Sequence, residues 1–293
     1  MGSNIHKRKS LLSNTRPPTV KRPSSLSSRA TRSLIRSHHT LQKQLHAAVV
    51  ANDITAAASL QAQLSASGGL QKYQEASIRG QSSERGGDSS RVLMQWFSEI
   101  LPDFKASIAS GQEEQLRMLE VGALRTDNAC SKSGIFDVTR IDLHSQKPGI
   151  AQQDFMEMPI PTSQKRKTVG FDIVSLSLVV NYVGDAVGRG NMLRRVGEFL
   201  RTQKLKAEAE EALPGLFLVL PASCVTNSRY LNEEKLEEIM QALGYVKVRR
   251  KMSLKLVYYL WRYDGHVEEV RRVFKKEEVR QGGTRNNFAI VLR

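Results

Sequence analysis

The chain has 293 residues, enough for one domain of ordinary size with an appendage or for two small ones, and either buries a core. Its formal net charge is +15, and the first 50 residues hold ten Lys or Arg, from Lys7 to Lys43, and no acid. Only Cys130 and Cys224 are present, away from any second Cys or His at zinc-ligand spacing, and no apolar h-region follows the basic start; a disulfide framework, a metal, secretion and membrane spanning are therefore not expected.

Residues 1–37 are rich in Ser, Pro, Lys and Arg without a helical or strand period, which predicts a disordered basic tail. Such clustered cations suit a polyanion, either nucleic acid or an anionic membrane surface, and suit a solubilising tail or a nuclear-import signal equally. Residues 38–88 read as a helical extension, because Leu41, Leu45, Ala48 and Val49 recur at three- and four-residue steps. "NDITAAASLQAQL" restarts the pattern after an Asn52-Asp53 cap, giving a helical hairpin over about 39–66 closed by Gly68-Gly69. A Gly86-Gly87 turn and an Asp88-Ser89-Ser90 cap introduce a short amphipathic helix through Leu101, ended by Pro102, within a main domain over 89–293.

Seven strand-like runs follow, at 116–124, 136–143, 149–155, 170–183, 215–225, 253–263 and 286–293. Helical patterns lie between the later ones, "GNMLRRVGEFLRTQKL" and "NEEKLEEIMQALGY", the second with acids in its first turn and Gly244 at its end. Strand, helix, strand alternation predicts an α/β fold, a mostly parallel sheet covered on both faces, with the last two runs as an antiparallel pair at its edge.

In an open parallel sheet, ligands bind beyond the carboxyl ends of the strands, where the strand order reverses. The first four runs end at Glu120-Val-Gly122, Asp142, Asp154-Phe155 and Asn181-Tyr182. A glycine after the first strand and an acid twenty residues on, at the end of the second, is the arrangement that binds a ribose: the glycine admits close approach and the carboxylate accepts from two hydroxyls. The competing reading is a turn glycine and an Asp capping its own loop. A pyrophosphate on the loop would call for two more glycines, so the pair Gly122 and Asp142 favours a cofactor without phosphates.

These features resemble a class I S-adenosylmethionine-dependent methyltransferase. The blocks "RGGDSSRVLMQWF", "LEVGAL", "FDVTRIDLHSQ", "GIAQQDFMEMPIP", "FDIVSLSLVVNYVGDAVGRGNMLRR" and "LFLVLPASCVTNSRYL" are similar to the fungal 25S (large-subunit) ribosomal RNA adenine-N1-methyltransferase family, from about residue 70 to the C-terminus. The resemblance implies a seven-stranded, Rossmann-like class I sheet and S-adenosyl-L-methionine as cofactor. It would place Gly122 against the methionine part, with Glu120 shaping the loop, Asp142 on the ribose hydroxyls, and Asp154 and Phe155 facing the adenine ring; a core aromatic is the other reading of Phe155. Two departures stand out. Only eleven residues separate "LEVGAL" from "FDVTRIDL", too few for a standard crossover helix, and "NYVGD" lacks the Pro-Pro that many amino-methylating enzymes carry there.

Adenine N1 lies on the Watson-Crick edge, so the base has to be unpaired or flipped into a pocket. Tyr182 is the stacking candidate and Asn181 the candidate for the exocyclic amino group, against the reading that both cap the following loop. The expected partner is large-subunit rRNA or the pre-ribosome, held by the tail and by "KVRRKMSLK" (247–255) and "RRVFKK" (271–276), with the protein a monomer. "HKRK" and the resemblance imply nucleus and nucleolus, and a role in rRNA processing. A different class stays open: an S-adenosylmethionine sensor docking a regulatory complex, as the resemblance implies for animal relatives. A protein or small-molecule methyltransferase is disfavoured only by charge.

Overall fold

A computed structural model describes residues 28–69, 75, 87–145, 147–202, 211–265 and 272–293. Of the disordered tail expected over 1–37, residues 1–27 lie outside the described residues, as does the stretch over 76–86 including Gly86, while residues 28–37 are helical instead. Helix α1 spans Ser28–Val50 and α2 spans Ile54–Ala66. The expected hairpin is therefore present, but its first helix starts ten residues before 38. Ala30, Leu34, His38, Leu41, Leu45 and Ala48 explain why: the stripe of half-buried and buried positions recurs every three or four residues from Ala30 onward, with no proline after Pro23. Asp53 caps α2, its carboxylate accepting from the Ala56 amide at 2.9 Å.

Helix α3 (Ser90–Ile100) and the short α4 (Phe104–Ala109) precede a seven-stranded sheet. Its strands are β1 (Leu116–Val121), β2 (Phe136–Asp142), β3 (Ala151–Gln152), β4 (Ile173–Ser177), β5 (Gly215–Pro221), β6 (Tyr245–Met252) and β7 (Leu256–Tyr263). The order across the sheet is β3-β2-β1-β4-β5-β7-β6, and only β7 runs against the others. This is the sheet the resemblance implies, and its order reverses between β1 and β4.

The antiparallel C-terminal pair is not the one expected. It is the hairpin β6–β7, and the run 286–293 forms no strand, only isolated bridges from Asn286 and Leu292. The edge of β7 is taken by β6, and the backbone of 286–293 bonds to scattered partners instead: Asn227, Ala186 and Phe274. Its apolar side chains Phe288, Ala289, Ile290 and Leu292 are nevertheless buried, which is what made the run look like a strand.

Both faces of the sheet are covered, as a parallel sheet requires. Leu216, Leu218 and Leu220 of β5 and Val257, Tyr259 and Trp261 of β7 point to one core, which is completed by α7 (Ala186–Val196) and α9 (Glu233–Ala242). Phe217, Val219, Tyr258 and Leu260 point to the other, against Leu93, Trp96 and Phe97 of α3. Trp96 meets Phe217 edge-on at 6.1 Å and Phe97 meets Phe136 at 5.3 Å, so α3 is locked onto the sheet by aromatic contacts. Asn232 caps α9 by accepting from the Lys235 amide at 2.9 Å, and Gly244, with φ +82°, ends it in the left-handed conformation that suits glycine.

Candidate cofactor and base pocket

The carboxyl ends of β1 and β4 lie side by side at the reversal of strand order, where ligands of such sheets bind. Gly122 follows β1 with φ +72°, and its amide and that of Ala123 both donate to Ile141 O, at 2.9 and 3.1 Å. A Cβ at this position would meet Val179 Cγ2 at 2.8 Å. Gly122 is thus a turn glycine, and one against which the loop after β4 packs closely.

Glu120 is folded inward. Its Oε1 accepts from Asn128 Nδ2 at 2.7 Å, while Arg140 Nε lies 3.9 Å from Oε2. Among the described residues Oε2 makes no hydrogen bond, and what faces it is the Arg140 guanidinium. Burial pushes the carboxyl up to about 7; the Asn128 hydrogen bond and the Arg140 charge pull it back, and the nearby Asp88 adds to the rise.

The short crossover after Gly122 is indeed irregular, a single turn α5 (Ala129–Lys132) in place of a full helix. Asn128 caps it through Oδ1, accepting from the Ser131 amide at 3.1 Å, so one side chain both caps α5 and holds Glu120. Asp88 completes the anchoring: Oδ2 accepts from the Ala129 amide at 2.5 Å, and Oδ1 from the Ser90 amide and hydroxyl at 2.9 and 2.6 Å. Hydrogen bonds from outside the loop replace those a longer helix would have made internally. Asp88, Asn128 and Arg140 were not singled out as site residues; the Asn128-x-x-Ser131 capping pattern was the visible signal.

Asp142 ends β2, and its Oδ1 accepts from the His144 amide at 2.8 Å. It braces its own loop, which is the capping reading, while standing at the carboxyl end of β2. Burial holds its carboxyl above the usual range, and the His144 amide and ring charge lower it. Asp154 is half-buried, and its Oδ1 accepts from the Met156 amide at 2.7 Å. Phe155 is 2% exposed and packs on Phe199 at 5.2 Å, so its ring sits in the core, the alternative reading of this position.

After β4, Leu178 has φ +60°, a strained value for a branched residue, and leads into a 3-10 turn, Val180–Tyr182. Val180 is fully buried, which pins the turn to the core. The Tyr182 amide donates to Val179 O at 2.9 Å. Among the described residues Asn181 Oδ1 is buried with no hydrogen-bond partner. Capping of the following helix falls to Asp185, which accepts from the Gly188 amide at 2.7 Å, so Asn181 is not the cap.

Arg189, 4% exposed, holds this loop from behind. Its guanidinium donates to Val183 O at 3.1 and 3.0 Å, to Gly184 O at 3.3 Å and to Ala289 O at 2.7 Å, and stacks over Phe288 at 4.5 Å. The run 286–293 is therefore a strap fastened to the loop that carries Asn181 and Tyr182. Glu120, Gly122, Asn181 and Tyr182 converge where the ends of β1 and β4 adjoin, with Asp142 and Asp154 farther along the same rim.

Among the described residues no helix is long and apolar enough to cross a membrane. A family model described as 25S rRNA (adenine(2142)-N(1))-methyltransferase, Bmt2, matches residues 58–290. The 25S rRNA adenine-N(1) methyltransferase of Schizosaccharomyces pombe is 39% identical over 223 residues, which cover 76% of this chain and 76% of that protein. The 25S rRNA (adenine(2142)-N(1))-methyltransferase of Saccharomyces cerevisiae is 35% identical over 231 residues, 78% of this chain and 62% of that protein. Solved structures similar to it include a Burkholderia thailandensis 1,6-didemethyltoxoflavin-N1-methyltransferase (TM-score 0.40, 12% identity, 65% of this chain and 87% of that one). Another is the 16S rRNA methylase RmtB (TM-score 0.35, 16% identity, 79% of this chain and 75% of that one). The chain belongs to the 25S rRNA (adenine(2142)-N(1))-methyltransferase family, Bmt2.

Proposed function

We propose that this protein transfers a methyl group from S-adenosylmethionine to N1 of an adenine in large-subunit rRNA. The observation that carries the reading is Asn181 Oδ1, a buried acceptor with no hydrogen-bond partner among the described residues, on the loop after β4 at the reversal of strand order, beside the end of β1. A buried acceptor without a donor costs about 1–3 kcal/mol, so a fold that keeps one here fits a donor supplied by a ligand. The residues fit the cofactor: Gly122 leaves the loop free of a side chain, Asp142 supplies a carboxylate for ribose hydroxyls, and Glu120, held by Asn128 and Arg140, shapes the loop between them.

When bound, the cofactor supplies a methyl group on a sulfonium. Gly122, Asp142 and Glu120 would hold it to offer that methyl carbon to the adenine N1 lone pair, with the thioether as leaving group. N1 carries no proton in neutral adenine, so the chain needs no general base, and its work is positioning. Asn181 Oδ1 accepts from the exocyclic amino group, which orients N1, and Tyr182 provides the stacking face. Arg189 and Leu178 fix the loop that holds both. The strongly basic first 50 residues fit an RNA partner, and we read them as the nuclear and nucleolar address of a protein acting on pre-ribosomes.

The test is incubation of the purified protein with labelled S-adenosylmethionine and unmodified large-subunit rRNA. Label in the RNA supports the reading; cofactor binding without transfer would leave a sensor role instead.

A further inference from the structure

The basic run at 247–255 divides into two parts once its neighbours are known. On the body of β6, each cation faces an acid: Lys247 is paired with Glu237, Arg249 with Glu211 at 3.3 Å, and Arg250 with Glu233 at 2.8 Å. Those charges are neutralised within the fold. Toward the turn the pairing stops. Among the described residues Lys251 reaches the neutral Gln95 of α3, at 3.3 Å, and no acid, and Lys255 is exposed without an ion pair. Arg91 is likewise exposed and unpaired among the described residues, one turn before Gln95 on the same face of α3.

This turn stands at the ligand rim. Because β7 runs against β5, its first residue Leu256 pairs with Pro221, the last residue of β5, and the Ala222 amide donates to Lys255 O at 2.8 Å. The turn lies two strand positions from the end of β4, a lateral distance of about 10 Å at the usual strand spacing. It is also braced: the Ser253 amide donates to Leu256 O at 2.8 Å and the Leu256 amide to Ser253 Oγ at 3.0 Å. On its tip stands Leu254, 95% exposed, between two lysines.

We propose that the β6–β7 turn, with Lys251, Leu254 and Lys255, and with Arg91 beside it, is an RNA contact flanking the target adenine, with the cations on phosphates and Leu254 against an unstacked base. This rests on the rRNA reading above and sharpens it by separating the usable cations of the basic run from the neutralised ones. Unpaired cations release counterions on meeting phosphates, whereas paired ones first have to give up their acid. Extruding a base leaves a gap in the stack, and an apolar wedge on a braced turn fits such a gap. An anionic membrane is the competing partner, but one leucine offers too little apolar area to anchor a protein there.

Binding of the full-length protein to a large-subunit rRNA transcript, measured across a series of salt concentrations, tests this. The double variant Lys251→Ala/Lys255→Ala should lower the slope of log affinity against log salt by about two, one for each lost phosphate contact. Lys247→Ala/Arg249→Ala should leave the slope unchanged. Leu254→Ser should weaken binding at every salt concentration without altering the slope, since an apolar contact releases no ions. Cofactor affinity and thermal unfolding should match wild type in the Leu254 and Lys251/Lys255 variants. An unchanged slope in Lys251→Ala/Lys255→Ala, an equal loss in the control pair, or tighter binding of the wild type to anionic vesicles than to rRNA overturns the proposal. Absence of salt-sensitive rRNA binding by the wild type instead removes the rRNA reading itself.

Discussion

A Cβ on residue 122 would lie 2.8 Å from Val179 Cγ2, so the loop that follows β1 touches the loop that follows β4 with no room for a methyl group. Val179 is two residues before Asn181, so a disturbance at Gly122 reaches the base pocket as well as the cofactor pocket. Gly122→Ala also forces a side chain onto φ +72°, which costs about 1–2 kcal/mol. The variant should fold with that loss in a denaturant titration, bind S-adenosylmethionine more weakly, and lose more kcat than its cofactor affinity alone accounts for at saturating cofactor.

Asn181→Ala should separate stability from activity. Because Asn181 Oδ1 is buried and unpartnered, deleting it removes an unmet acceptor instead of a bond. Unfolding should therefore show a variant no less stable than wild type, while methyl transfer falls with cofactor binding retained. A clear loss of stability would mean that the side chain is a structural brace.

The Glu120 carboxyl, near 7 in the fold, is raised above its ordinary 4.5. Between those values the folded state keeps a proton that the unfolded chain has released, so the Glu120 contribution to stability falls as pH rises from 4.5 to 7 and is flat above. Glu120→Gln removes the titration. The difference in unfolding free energy between wild type and Glu120→Gln should shift against the wild type by on the order of 2 kcal/mol from pH 5 to 7.5. A difference independent of pH would show that Glu120 titrates normally.

Arg189→Met keeps much of the buried volume and removes the four hydrogen bonds to Val183, Gly184 and Ala289. Stranding those carbonyls should cost on the order of 3 kcal/mol, read by chemical denaturation. Arg189→Lys keeps the charge but not the fork, and should recover only part of the loss. In both, transfer should fall further than cofactor affinity, because the strap holds the base side of the site.

What the residues revealed in advance follows from where the physics is local. The apolar runs of β1, β2 and β5, the Asp53 cap, and the acids and Gly244 that bound α9 announce themselves through short-range pattern, and so the ends of β1 and β2, where Glu120, Gly122 and Asp142 lie, were legible in advance. Strand β6 was not counted among the strands, although "KVRRKMSLK" alternates as a strand would, because four of its eight residues are charged and an edge strand paired with α9 acids also reads as surface. The run 286–293 misled in the opposite direction: its apolar residues are buried, but by Arg189 and Ser228 fastening its carbonyls one by one. Asp88 and Asn128 act across 41 and 8 residues of sequence, a separation that no local pattern carries.

The central claim is most directly tested by where the methyl group goes. Unmodified large-subunit rRNA is incubated with S-adenosylmethionine and either the wild-type protein or Asn181→Ala, digested to nucleosides and resolved by mass spectrometry. The account predicts 1-methyladenosine with the wild type and its loss with Asn181→Ala. A methyl group on any other nucleoside, or equal yields from the two proteins, would contradict it.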